Sequence, residues 1–108
     1  MTSDASYFFL RLNPPRPTFP ADMTDAERAV MQEHAACWTA LTEKRKVVIF
    51  GPVMDPKGVY GIAIVEAGSE DEVQALIAGD PVTKAALGRY DIFPMRVGAI
   101  RGEPPHPA

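Results

Sequence analysis

The sequence predicts an α+β domain in which two helices lie over one four-stranded antiparallel sheet. Three observations carry that expectation. Four short segments are rich in β-branched and aromatic residues. Two Ser/Thr-x-x-Glu signatures each precede a run of helical periodicity. A tight turn joins the two middle strands. In chain order the elements read β-α-β-β-α-β, the ferredoxin-like order.

The first strand is SYFFLRL, residues 6–12. NPPRPTFPADM follows over 13–23, and its four prolines exclude a regular helix or a central strand. Within it Phe19 reads equally as a lid or as a packing anchor for its own loop. Thr24 and Glu27 then form a capping box. The helix they open runs to about Lys44, with Val30, His34, Cys37 or Trp38, and Leu41 along one stripe. KVVIFGPV (46–53) and VYGIAIVE (59–66) are the middle strands. Between them Asp55-Pro56-Lys57-Gly58 matches a type I turn, with Asp first, Pro second and Gly last. Ser69 and Glu72 form the second capping box, and their helix carries Val73, Leu76 and Ile77 before Gly79 ends it. Asp80-Pro81 suits the cap and first position of a short helix reaching about Leu87. RYDIFPMRV (89–97) is the last strand, and Pro94 places it at a sheet edge or a bulge. All 108 residues are read as one domain, with its core in about 5–101 and a flexible proline-rich tail, GEPPHPA, at 102–108.

Composition narrows the function classes. Hydrophobic residues make up 46% and charged residues 23%, as in an ordinary globular domain. A net charge of −3 with scattered basic residues offers no face for phosphates, so no nucleic-acid partner is expected. The run Lys44-Arg45-Lys46 fits a solvated helix end favoured by the helix dipole. Cys37 is the sole cysteine, which excludes an internal disulfide and a Cys-rich zinc site. Its surroundings read as core rather than as a nucleophile's. MTSDASYFF has neither a charged leader nor a long apolar run, so no signal peptide and no membrane partner are expected, and the location expected is cytoplasmic.

Two helices cover only one face of such a sheet. Yet VVIF and IAIV are apolar at every position, so both faces call for burial. In the first strand Phe8, Leu10 and Leu12 point one way, and Tyr7, Phe9 and Arg11 the other. A second copy of the sheet is the simplest cover, which predicts a homodimer through the sheet face.

Three segments, EHAACWTAL, VVIFGPVMDPKGVYGIAIVE and LIAGDPVTKAALGRYDIFPMR, together resemble the YCII-related (YciI-like) family over roughly residues 5–101. The helix-one histidine, the GPV…D-x-x-G-x-x-G hairpin, the Asp-Pro pair and the closing strand with its internal proline carry the resemblance. It implies a ferredoxin-like fold that dimerises as an α/β barrel. It also implies a His–Asp site, carried onto His34 and Asp80. One branch of the family resembles enzymes that remove chloride from substituted hydroquinones. The 13–23 connection is longer than the shortest members of the family need.

Topology allows the two residues to meet. His34 lies ten residues before Lys44, and Asp80 lies eleven after Ser69, so on antiparallel helices both stand roughly 15 Å above the same edge. A carboxylate bonded to one imidazole nitrogen fixes the tautomer and leaves the other as a general base. Arg11 is a candidate for binding an anionic group, and Trp38 and Tyr60 for an aromatic wall around a small-molecule ligand. Bland readings stand beside these. His34 is equally readable as a core imidazole bonded to a carbonyl, Asp80 as an ordinary helix cap, and Arg11 as half of an ion pair. His34 and Asp80 alone fall short of a metal-ligand set, so neither metal nor cofactor is expected. Two functions follow. One is a cofactor-free lyase or isomerase acting on a small phenolic or acidic molecule, a dehydrochlorinase being one example. The other is a non-catalytic ligand-binding or regulatory module. A cofactor-free monooxygenase is a weaker third.

Overall fold

The computed structural model describes residues 6–102; the proline-rich stretch beyond, with His106, lies outside the described residues. The chain forms β1 (Ser6–Asn13), α1 (Asp25–Glu43), β2 (Val47–Val53), β3 (Tyr60–Ala67), α2 (Glu70–Ala78), α3 (Pro81–Lys84) and β4 (Arg89–Met95). The four strands make one antiparallel sheet in the order β2-β3-β1-β4, the ferredoxin-like arrangement. Both edge strands contain a proline, Pro52 in β2 and Pro94 in β4, where a missing N–H costs the ladder least.

The pleat sorts residues by face. Leu10 pairs with Ala63 on one side and Ile92 on the other, whereas its neighbour Arg11 pairs with Ile62 and Asp91. The Leu10 face is covered by the helices. There Phe8, Leu10, Ala63, Val65 and Ala67 pack with Trp38 of α1 and with Val73 and Ile77 of α2, and Leu12 is buried on the same face. Of the apolar stripe expected on α1, only Trp38 is fully buried, and Cys37 and Leu41 are packed against the core from its edge. The opposite face leaves Ile49 57%, Phe93 51% and Met95 38% exposed, so a large apolar surface is uncovered in the single chain.

Helix ends follow local chemistry. Thr24 and Glu27 make both reciprocal bonds of their capping box. The second signature is only half of one: Ser69 accepts from the Glu72 N–H, but the Glu72 carboxylate takes the Gly68 N–H instead. α3 stops at Lys84 rather than near Leu87. Ala86 turns to a φ of 54°, the Leu87 N–H donates to Val82 O, and the Ala86 N–H donates to Thr83 O. That pair of bonds is a Schellman stop, and α1 ends the same way with Arg45 at 65°. An alanine and an arginine hold the place usually given to glycine, so neither stop carries its usual sequence mark.

Gly88, at φ 151°, leads α3 into β4 where the backbones nearly touch. A Cβ there would lie 2.8 Å from Asn13 O and 3.0 Å from Leu12 Cδ1. Gly88→Ala is therefore expected to destabilise the fold by about 1–3 kcal/mol, read as a lower urea midpoint with an unchanged slope. An unchanged midpoint would show that the junction relaxes freely.

Candidate active site

Asp80 is the one charged residue among the described buried set, with none of its surface exposed. It occupies the junction of α2 and α3 because it caps α3: its Oδ1 accepts the Val82 N–H at 2.9 Å. A capping carboxylate has lone pairs to spare, and the fold brings three side chains to them. His34 Nδ1 lies 3.0 Å from both oxygens, Trp38 Nε1 donates to Oδ2 at 2.7 Å, and the Tyr90 hydroxyl donates to Oδ2 at 2.5 Å. His34 and Trp38 are four residues apart on α1 and so share its inward face. Tyr90 arrives from β4, in register with Leu12 and on the same side of the sheet.

This arrangement sets the protonation of the cluster. Burial opposes ionisation of Asp80, but the hydrogen bonds from His34, Tyr90 and the Val82 N–H together outweigh it, and the carboxyl sits below its ordinary range. An ionised carboxylate only accepts, so Nδ1 of His34 carries the hydrogen. Burial first, then the bond to Asp80 and its charge, push the Tyr90 phenol well above its ordinary value, which keeps it a neutral donor. Burial and the Asp80 charge likewise raise the Cys37 thiol, against a nucleophilic role. Because Asp80 titrates lower folded than unfolded, its contribution to stability is full above the ordinary carboxylate pKa near 3.8 and is lost as pH falls through the lower folded value. The loss is thus expected to begin as pH falls below the ordinary value and to be complete below the folded one. Asp80→Asn is expected to flatten this limb in pH-dependent urea titrations.

A cavity of about 230 Å³ opens beside the cluster, between the sheet and α1. Leu12 and Ala63 line it from the sheet, Met31 and Ala35 from α1, and Phe19 and Pro20 from the 14–23 loop. His34 and Tyr90 also border it, and the His34 side chain is 14% exposed. Since Nδ1 is engaged, Nε2 is the nitrogen left for a ligand, and it has no hydrogen-bond partner among the described residues.

The other candidates divide. Trp38 lines the cavity and is only 1% exposed, so it is wall and anchor for Asp80 at once. Tyr60 borders the cavity at its β3 end, while its ring lies under the Arg11 guanidinium, 3.9 Å from centroid to Cζ. Arg11 is exposed, on the sheet face away from His34, and its Nε donates to Asn13 Oδ1 at 3.1 Å. It does not border the cavity. Tyr90 went unread in the sequence. Its signal was its alternation with Ile92, which puts a phenol needing a partner on the covered face, ten residues after Asp80. Among the described residues no group of three or more His, Cys, Asp or Glu side chains is placed to hold a metal ion. No described helix is long and apolar enough to cross a membrane.

A ferredoxin-like α+β domain, with an imidazole on a buried carboxylate at the edge of an apolar cavity, is the class of protein these features define. The chain belongs to the YCII-related domain family, which it matches over residues 7–96. Among solved structures it is similar to the 5-chloro-2-hydroxyhydroquinone dehydrochlorinase of Burkholderia phenoliruptrix AC1100, in complex with 2,5-dihydroxybenzoquinone. Identity is 25%, the TM-score is 0.58, and 84% of this chain and 95% of that one are covered. A variant of SnoaB, a cofactor-independent oxygenase from Streptomyces nogalater, shares the fold at 17% identity and a TM-score of 0.50, over 94% of this chain and 100% of that one. No curated protein matches the sequence.

Proposed function

We propose that this protein is a cofactor-free lyase or isomerase that removes a proton from a small phenolic ring, with His34 Nε2 as the base. The observation that carries the reading is the anchoring of His34: Nδ1 is held at 3.0 Å by a fully buried carboxylate, and the ring borders an apolar cavity. Asp80 fixes the tautomer and, with its charge, stabilises the imidazolium formed when Nε2 takes the proton. Trp38 and Tyr90 hold Asp80, and the indole and Tyr60 form part of the wall. The cavity walls are mostly apolar, so a bound ring displaces water from the base and meets it in a medium of lower dielectric, where its orientation counts most. In an elimination, the ring first passes to a keto tautomer in which the chlorine-bearing carbon holds a hydrogen. Nε2 then takes a remaining hydroxyl proton, the O–H electrons form a carbonyl, the displaced ring electrons form a new carbon–carbon double bond at that carbon, and chloride leaves with the electrons of the carbon–chlorine bond to give a quinone. The dehydrochlorinase at 25% identity supports that reaction type.

The test is chloride release from 5-chloro-2-hydroxyhydroquinone, followed with a chloride electrode. Release above the buffer rate supports a dehydrochlorinase. Binding without release would mean a ligand-binding module, and neither would remove the phenolic reading.

The reading includes a homodimer. Ile49, Phe93 and Met95 are exposed on the uncovered face, and Phe9, Ile62 and Ile64 lie half-buried between them. Sedimentation at micromolar concentration is expected to give about twice the 11.7 kDa chain mass, and a monomer there would refute the pairing.

A further inference from the structure

We infer that the 14–23 loop sets the size of ligand that the cavity accepts, with Phe19 as the limiting surface and Arg16 as the residue that holds it down. The inference rests on the cavity being a ligand site, and it adds which residues choose the ligand. Helix–strand connections in compact domains are usually about 2–6 residues, whereas this one runs from Asn13 to the α1 cap at Thr24. Its length is ordered from within. The Phe19 N–H donates to Arg16 O at 3.1 Å, the Met23 N–H to Pro20 O at 3.1 Å, and Thr18 Oγ1 to Asp22 Oδ2 at 2.5 Å.

Arg16 ties this loop to the helix that carries His34. Its two terminal nitrogens fork onto Glu27 at 2.8 and 2.7 Å, and its Nε donates to both Asp22 oxygens at 3.0 and 3.1 Å. Its guanidinium also stands 5.4 Å from the centre of the Phe19 ring. Glu27 is itself the reciprocal residue of the α1 capping box. It lies seven residues, two turns, before His34. Short, directional contacts thereby tie the loop to the start of the helix that carries the imidazole. Phe19 is only 7% exposed although it is a loop residue, and it borders the cavity beside Pro20.

The volume supports a limit of one ring. An engineered apolar cavity of about 150 Å³ holds benzene, so about 230 Å³ accommodates one ring with its substituents and leaves little for a second. Removing the Phe19 side chain opens the space on the loop side. It does not touch His34, Asp80 or Tyr90.

Trp38 is the only tryptophan in the chain and is buried in the cavity wall, so its fluorescence reports occupancy. The experiment titrates the full-length protein with hydroquinone and with 4-phenylphenol, one ring against two, in wild type, Phe19→Ala and Arg16→Gln. The wild type is expected to prefer hydroquinone. In Phe19→Ala the affinity ratio is expected to shift toward 4-phenylphenol by roughly tenfold or more. Arg16→Gln, which leaves every cavity-lining residue in place and keeps the variant series informative should Phe19→Ala fold poorly, is expected to shift the ratio the same way by less. Arg16→Lys restores charge but not the fork, and is expected to recover only part of the wild-type ratio. A merely structural role would weaken both probes together and leave the ratio unchanged. That result, with hydroquinone still bound by the wild type, overturns the size limit and leaves the ligand-site reading standing. Failure of every variant to bind either probe overturns both.

Discussion

His34→Gln is expected to lower the rate of chloride release by about a hundred- to ten-thousand-fold while leaving ligand binding nearly unchanged, the range in which a positioned general base acts. Glutamine keeps an amide N–H that can reach Asp80, but it offers no basic nitrogen to the cavity. The side chain replaced is largely but not fully buried, and the carboxylate it leaves behind retains Trp38, Tyr90 and the Val82 N–H as donors. Circular dichroism and urea unfolding are therefore expected to change little. Turnover within about threefold of wild type would exclude His34 as the base, since a group that carries the proton cannot be removed so cheaply.

The largest stability effect is expected at Asp80. Asp80→Ala removes the acceptor of four hydrogen bonds at once, and leaves the Trp38 indole, the Tyr90 hydroxyl, the Val82 N–H and His34 Nδ1 facing an apolar hole. Breaking a buried charged network by deleting one partner costs about 3–5 kcal/mol, a large share of a domain's total stability. The melting temperature is expected to fall by roughly 15 °C or more. Asp80→Asn, of the same shape, keeps one oxygen to accept but turns an N–H toward the donors, and is expected to fall between wild type and alanine. A melting temperature within a few degrees of wild type for Asp80→Ala would mean that water enters and replaces the carboxylate.

The two variants separate jobs that one residue combines. Asp80 is a helix cap, as any Asp before Pro suggests, and also the anchor for the imidazole. Stability follows from the first role together with burial, whereas any rate effect would follow from the second. Measuring unfolding and turnover on the same Asp80→Asn protein therefore distinguishes a site that has merely loosened from one whose base has lost its orientation.

Much of the fold was legible because its signals are local. Thr24 with Glu27, Asp55-Pro56-Lys57-Gly58 and Pro94 of the last strand act within one turn of their own backbone, and no distant contact is needed to read them. The boundaries that shifted did so where the local mark was absent. α3 ends early through a Schellman turn at Ala86, and Glu72 bonds Gly68 rather than its own cap. A sequence shows the capacity for such bonds but not which of two adjacent N–H groups takes them.

What the sequence by itself determined was the order of the elements, the sorting of Leu10 from Arg11 onto opposite faces, and the common height of His34 and Asp80, because strand alternation and helical rise are set by the backbone alone. Only the tertiary structure decided that Tyr90 and Trp38 share the Asp80 carboxylate, that Arg11 lies across the sheet from the cavity, and that Phe19 of a proline-rich loop borders it. Those outcomes depend on lateral distances between elements far apart in the chain. Such distances follow from how the core packs, to which every buried side chain contributes and which no local pattern encodes.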